Sequence, residues 1–246
     1  MSHSYFVTGT DTEIGKTLVT AALVYKLNAL NLGSACAYKP VVAGTYRNSE
    51  GVLCNEDLET YALVQDPAIP QSVICPYVLD TPAAPHLVAA EHGKHLELDR
   101  MVQAYQTLQA QITHVIAEGA GGFLTPIDDH HDLSTFAMRI QAPVILTVGM
   151  RLGCINHALL TVEAIERRGL KLEGWVANCI DPKMTYLNEN IMTLQNRIKA
   201  PLLGKIAHLP PNLQKKTNAP YSIEAIQFAA AAITLSPVSA DGCCLP

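Results

Sequence analysis

Two lysines, two carboxylates and a threonine define the chemistry open to this chain: Lys16, Lys39, Asp57, Glu118 and Thr17. Lys16-Thr17 closes the run Gly9-Thr10-Asp11-Thr12-Glu13-Ile14-Gly15, which follows Tyr5-Phe6-Val7-Thr8 and precedes an apolar stretch. A turn between a strand and a helix presents successive backbone N–H groups and a helix N-terminus to an anion, and a lysine there adds a full positive charge. The general phosphate-loop pattern G-x-x-x-x-G-K-[ST] places its first glycine at position 10, where this chain has Thr10, and the glycine falls one residue early at Gly9. A literal match fails, but the physics survives. Thr17 then supplies a hydroxyl to Mg²⁺.

The elements around these residues must bring them together. Leu18, Ala21, Ala22, Tyr25, Leu27 and Leu30 recur at close to helical spacing, so the loop opens a helix that Gly33 ends. Ala35-Cys36-Ala37-Tyr38 reads as a strand, and Pro40 keeps the chain extended beyond Lys39. That puts Lys39 at the C-terminal edge of a parallel sheet, where ligands gather. Gly44 to Asn55 has no periodicity and reads as a loop, after which Asp57 begins or caps a short helix through Leu63. His114 to Ala117 is an apolar strand ending in Glu118-Gly119-Ala120-Gly121-Gly122. An acid at the end of a buried strand suits Mg²⁺ at a nucleotide site, and the glycines let backbone approach a ligand.

The rest of the chain alternates strand and helix. Val73-Ile74-Cys75 reads as a short strand, Leu98 to Ile112 as the most regular amphipathic helix, and Pro143 to Val148 as a buried parallel strand. Helices are expected over Ile155 to Arg168 and Leu187 to Ile198, and strands over Trp175 to Asn178 and Leu202 to Ile206. The expected architecture is α/β: one doubly wound, mainly parallel sheet flanked by helices, of phosphate-loop NTPase type. It fills residues 1–232 as a single domain, with 233–246 as a disordered tail. Asp128-Asp129-His130-His131-Asp132 gathers carboxylates and imidazoles, but adjacent side chains point different ways, so the run reads as a polar loop in which Asp132 caps the next helix.

With 246 residues, 49% hydrophobic, the chain can bury a sizeable core. A formal charge of -5 argues against a nucleic-acid partner. No apolar run is long enough to span a bilayer, and Met1 to Ser4 is too short and polar for a secretory signal, so a cytoplasmic protein with small-molecule partners is expected. Seven cysteines without C-x-x-C spacing fit scattered thiols, with Cys36, Cys75, Cys154 and Cys179 as packing residues. A phosphate loop, two lysines, two carboxylates and a threonine on one sheet edge make a phosphoryl-transfer site, and the second lysine implies an anionic acceptor. Guanine readers use N-K-x-D; Asn178-Cys179-Ile180-Asp181 has cysteine in the lysine's place, which favours ATP.

Five stretches in order resemble the dethiobiotin synthetase family: Gly9 to Thr17, Tyr38-Lys39-Pro40, Glu118 to Gly122 with Thr125-Pro126, Gly153-Cys154-Ile155-Asn156-His157, and Gly174-Trp175-Val176-Ala177-Asn178. The match runs from Tyr5 to about Leu209. The resemblance implies a homodimeric ligase of biotin synthesis that uses ATP and Mg²⁺ to close 7,8-diaminononanoate and CO₂ into dethiobiotin, through a carbamate that ATP phosphorylates. It assigns Lys16 and Lys39 to catalysis and Thr17, Asp57 and Glu118 to the metal. ATP would be held by Glu13, Ile14, Gly15, Lys16, Thr17 and Leu18, by Asp57, by Glu118, Gly119, Ala120 and Gly121, by Asn178 and Cys179, with Asn178 on adenine, and by Ala207, His208 and Leu209. The substrate would meet Thr12, Lys39 and Thr45, and its carboxylate would meet Gly153, Cys154, Ile155 and Asn156 from across the dimer interface, where a helix N-terminus suits an anion.

Two departures from the family stand out. Ala43 replaces a common serine, with Thr45 as substitute, and Ala207 stands where proline is common. The alternative reading is a ParA/MinD-like nucleotide-switch ATPase, but the early loop position that carries a second lysine in those proteins holds Asp11. An amidotransferase-type synthetase would need more chain after Leu209 for a glutaminase domain. On these expectations Lys16→Ala and Lys39→Ala abolish product and leave the fold intact.

Overall fold

Strands that are apolar on both faces bury both faces, and that requirement organises the chain. The structure, a computed structural model, describes residues 4–235 apart from Leu32 and Pro67. In chain order its elements are β1 (Tyr5–Gly9), α1 (Lys16–Ala29), β2 (Ala35–Tyr38), β3 (Val41–Ala43), β4 (Tyr46–Arg47), β5 (Leu53–Cys54), α2 (Glu56–Ala62), α3 (Gln71–Ile74) and β6 (Tyr77–Leu79). They continue with α4 (Pro85–Glu91), α5 (Leu98–Gln109), β7 (His114–Glu118), α6 (Leu133–Ile140), β8 (Val144–Gly149), α7 (Cys154–Arg167), β9 (Leu172–Asn178), α8 (Leu187–Arg197), β10 (Leu202–Ile206) and α9 (Ile223–Ala232). Six strands form one sheet in the order β10-β9-β8-β1-β7-β2, and every pairing in it is parallel. All six C-terminal ends therefore lie on one edge, with β1 between β7 and β8 where the order of connection reverses.

Side chains along each strand alternate between two cores, as a pleat of period two demands. Val7, Ile116, Ile145 and Val176 join the core beneath α1, α2 and α9. Phe6, Val115, Ala117 and Val144 join the core beneath α5 and α6, while Leu146, Val148, Trp175 and Ala177 join a third cluster beneath α7 and α8. The α/β expectation, with a parallel sheet covered by helices on both faces, holds.

Several local expectations change. Val73-Ile74-Cys75 is not a strand: Pro70 begins a helical turn, and the Cys75 N–H bonds the Gln71 carbonyl at 2.8 Å. A short apolar run does not distinguish strand from helix. The strand in that region is Tyr77–Leu79, which pairs in parallel with Val41–Ala43 as a small second sheet. The loop from Gly44 to Asn55 contains the antiparallel ladder Tyr46–Arg47 with Leu53–Cys54. Asp57 does not cap α2. Asn55 does, its side chain accepting from the Asp57 and Leu58 N–H groups at 3.0 and 3.2 Å, which leaves the Asp57 carboxylate free for other work.

Asp132 caps α6 as expected, accepting from the Ser134 and Thr135 N–H groups. Ile233 is 1% exposed and bridges Gly204. Residues 236–246, most of the expected tail, lie outside the described residues. Among the described residues no helix is long and apolar enough to cross a membrane.

Candidate nucleotide and metal site

The loop after β1 has the backbone an anion cradle needs. Glu13 and Gly15 both adopt left-handed φ, 57° and 86°. A Cβ on Gly15 would lie 2.2 Å from the Asn178 amide nitrogen, so only glycine fits. That amide donates to the Ile14 carbonyl at 2.7 Å, and Asn178, expected on adenine, here ties the end of β9 to the loop. Ile14 is buried against Gly9 and Gly149, where a Cβ on either glycine would meet it within 2.6 Å. α1 starts at Lys16 with no side-chain cap and no acid in its first turn, so its first N–H groups face the loop uncontested.

Lys16 is buried and folds back over the loop, its Nζ donating to the Asp11 carbonyl at 2.6 Å. Burial pushes its ammonium down to about 8, with the Lys39 charge acting in the same direction and Glu118, Asp57 and Asp11 opposing. Asp11 pairs through its carboxylate with Arg151, a partner that spacing gave no reason to expect.

Lys39, Asp57, Glu118 and Thr17 come together at the ends of four elements, β2, α2, β7 and α1. Tyr38 is locked by its hydroxyl to the Met101 carbonyl at 2.6 Å and by stacking on Phe136, and the Lys39 N–H donates to the Ile74 carbonyl at 2.8 Å. The chain so fixed holds the Lys39 Nζ 2.8 Å from Asp57 Oδ2 and 2.5 Å from Glu118 Oε1. The Thr17 hydroxyl lies within hydrogen-bond distance of the same two carboxylates, 2.8 Å from Asp57 Oδ1 and 3.1 Å from Glu118 Oε1, and its one proton can go to either. Burial alone would lower the Lys39 proton affinity, but the Asp57 and Glu118 charges outweigh it and hold the ammonium above its ordinary value. Burial would likewise raise Asp57, and Lys39 reverses this, keeping the carboxyl below the usual carboxylate range.

Two carboxylates and a hydroxyl converging at one point are hard oxygen donors, the set that Mg²⁺ prefers beside phosphates. Thr17, Asp57 and Glu118 therefore fit the metal the fold implies. The same pairing gives Lys39 a structural role as well, so its removal is expected to cost stability. Lys39 is 3% and Glu118 0% exposed, so Lys39→Ala strands buried negative charge.

The other expected residues divide. Thr12 lies near Gly121, where a φ of 64° and the Thr125 Oγ1, which a Cβ would meet at 2.6 Å, exclude a side chain. Gly119 and Ala120 continue the same turn, and Leu18 is buried in the first turn of α1. Cys179 and His208 meet through the Cys179 carbonyl and the His208 ring at 3.1 Å, with Leu209 joined to them through Gln214 and Ala207 exposed beside them. The Thr45 N–H bonds the Asp80 carbonyl, with its side chain partly exposed. Gly153 caps α7 in left-handed conformation without a side-chain cap; Cys154 is buried, Ile155 half-buried and Asn156 exposed. Among the described residues, the His/Asp run of residues 128–132 forms no group of three or more side chains able to hold a metal.

Two further contributions carry no mark in the sequence: Tyr61, whose hydroxyl donates to Glu118 Oε2, and the segment after Leu209, where Lys215 pairs with Glu56 and the Tyr221 N–H donates to Thr60 Oγ1 at 3.1 Å.

Among solved structures, the chain is similar to one in the MinC:MinD cell division protein complex of Aquifex aeolicus, at 13% identity over 96% of this chain and 99% of that one, with a TM-score of 0.55. It is similar also to a ParA family ATPase from Chlorobium tepidum TLS, at 10% identity over 85% and 84%, with a TM-score of 0.52. The septum site-determining protein MinD complexed with Mg-ADP, from Pyrococcus horikoshii OT3, matches at 13% identity over 92% and 94%, with a TM-score of 0.52. At these identities the likeness is one of fold. Residues 3–216 match the family described as AAA domain. With its phosphate loop, parallel sheet and oxygen donors gathered at one edge, the chain belongs to the AAA domain family and carries the phosphate-loop NTPase fold.

Proposed function

We propose that this protein is a dethiobiotin synthetase, a ligase that closes 7,8-diaminononanoate and CO₂ into a cyclic urea at the expense of ATP. The observation that carries the reading is the second buried lysine. Lys39 reaches the carboxylates at the phosphate loop. Two ammonium groups at one phosphate site suit a reaction in which both the donor and the acceptor are anions.

Lys16 and the first N–H groups of α1 hold the phosphates, and Lys39 offsets the repulsion between them and a carbamate. Thr17, Asp57 and Glu118 would hold Mg²⁺, which when bound neutralises phosphate charge. The carbamate oxygen bonds to the γ-phosphorus as the bond to ADP breaks. The second amine then attacks the carbamoyl carbon and loses its proton while the carbon–oxygen bond to phosphate breaks, leaving dethiobiotin and phosphate. Thr12 and Thr45 contact the diamine, Asn178, Cys179 and residues Ala207 to Leu209 contact the nucleotide, and the uncapped N-terminus of α7, residues Gly153 to Asn156, receives the substrate's carboxylate from a second copy of the chain. The reading takes residues 1–232 as one domain working in the cytoplasm.

The test is to incubate the protein with Mg-ATP, bicarbonate and the diamine, omitting each in turn, and to look for dethiobiotin by mass. Product should need all three. ATP turnover indifferent to the diamine would point to a nucleotide switch and sink the synthetase reading.

A further inference from the structure

The carboxylate of Glu118 is completely enclosed, and its two oxygens have different partners. Oε1 accepts from Lys39 Nζ at 2.5 Å and lies 3.1 Å from Thr17 Oγ1, on the side shared with Asp57. Oε2 accepts from the hydroxyl of Tyr61, itself 0% exposed. Tyr61 lies on α2 one helical turn after Asp57, so its ring packs among Leu58, Val64 and the core beneath α1 while its hydroxyl reaches across to the end of β7.

We propose that Tyr61 is a positioning residue for the cation site. By taking Oε2 it fixes the rotation of the Glu118 carboxylate and presents Oε1 towards Thr17 and Asp57. α2 then serves the site twice, with Asp57 as a direct oxygen donor and Tyr61 as the group that orients the second donor. Among the described residues Tyr61 is the partner Oε2 has, and a buried acceptor without a donor is unfavourable. A phenylalanine in its place leaves that oxygen to seek Thr17, Lys39 or the metal in another orientation. Partners that orient a metal's ligands typically change metal affinity by about 10- to 100-fold when removed.

The inference rests on Mg-nucleotide binding at this site, and the experiment separates the two. ADP binding is followed by calorimetry while Mg²⁺ is titrated, and again with the metal chelated, in wild type, Tyr61→Phe and Leu58→Ala. Leu58 is a buried packing residue of the same helix that touches neither carboxylate through a hydrogen bond. The expected result is a rise of about tenfold in the Mg²⁺ concentration for half-saturation in Tyr61→Phe, with metal-free ADP affinity within about twofold of wild type and Leu58→Ala unshifted. An unchanged Mg²⁺ requirement in Tyr61→Phe, or an equal shift in Leu58→Ala, overturns the proposal. Should the phenylalanine variant melt without cooperativity, Tyr61→His keeps an N–H donor at that position. Half-saturation within about threefold of wild type then supports the proposal, and a tenfold loss overturns it. Wild-type protein whose ADP binding ignores Mg²⁺ overturns the metal reading itself, and the inference with it.

Discussion

Two regions of the molecule are rich in acids, and they are built in opposite ways. In the loop of residues 128–132 the acids are close in sequence, and their bonds are mostly local: Asp128 accepts from the His130 and His131 N–H groups at 2.7 Å, and Asp132 caps α6, with one longer-range contact from Arg168 to Asp132 at 3.5 Å. This loop borders a cavity of about 630 Å³ that Lys94 and Arg139 also line. At the sheet edge Asp57 and Glu118 are 61 residues apart in sequence and meet across one lysine and one threonine. Acids close in sequence satisfy their own turn. Acids brought together by the fold are left with oxygens aimed at a common point, and that is the arrangement a cation can use.

Removing Lys39 tests the contrast most severely. Lys39→Ala should lower the rate of product formation by about 10²- to 10³-fold, the usual cost of deleting a group that stabilises developing charge. It should also destabilise the protein by about 3 kcal/mol, at the low end for a broken buried pair because the Asp57 side chain is 27% exposed. Thermal melts with and without Mg²⁺ check this, and the metal should recover part of the loss.

Lys16→Met should weaken ADP binding by about 10- to 100-fold, the range for a charge-assisted hydrogen bond. In the wild type, ADP affinity should fall as pH rises through about 8, where the buried ammonium loses its proton, and the variant should lack that inflection. The stability term has the opposite sense. The folded value lies below the ordinary 10.5, so the unfolded chain binds more protons between about 8 and 10.5, and this group's contribution to stability rises across that window.

The smallest effects belong to the loop. Asp132→Ala should cost about 1 kcal/mol through the lost cap, and Asp129→Ala within about 0.5 kcal/mol, both with unchanged Mg²⁺ dependence. Denaturant melts and a Mg²⁺ titration measure these. A change in metal requirement from either would erase the distinction between the two regions.

Much of the site was legible because it sits where periodic elements end. Lys16, Lys39 and Glu118 follow or close apolar strands, and a parallel sheet collects such ends on one edge. Asp57 was legible as a candidate, but its freedom to face the site depends on Asn55 taking the cap, a choice that sequence leaves open between neighbouring capping residues. Tyr61 gave no signal, since an aromatic residue on a short helix reads as core and only the fold brings its hydroxyl to Glu118. The helix Ile223–Ala232 was missed although Ser222 caps it, because its run of apolar residues and alanines shows little contrast between faces; it packs along α1, where Lys26 holds its last carbonyls. The three-residue strands β3 and β6, beside prolines, are too short to show a period.

If the sheet-edge lysines bring a phosphate and a carbamate together, an oxygen atom must pass from bicarbonate to phosphate. With bicarbonate labelled in ¹⁸O, and quenching before the label exchanges with solvent, a phosphorylated carbamate predicts one labelled oxygen in the released phosphate and another in the ring carbonyl of the product. Unlabelled phosphate, its new oxygen taken from water, would mean that the site hydrolyses ATP and phosphorylates no carbamate.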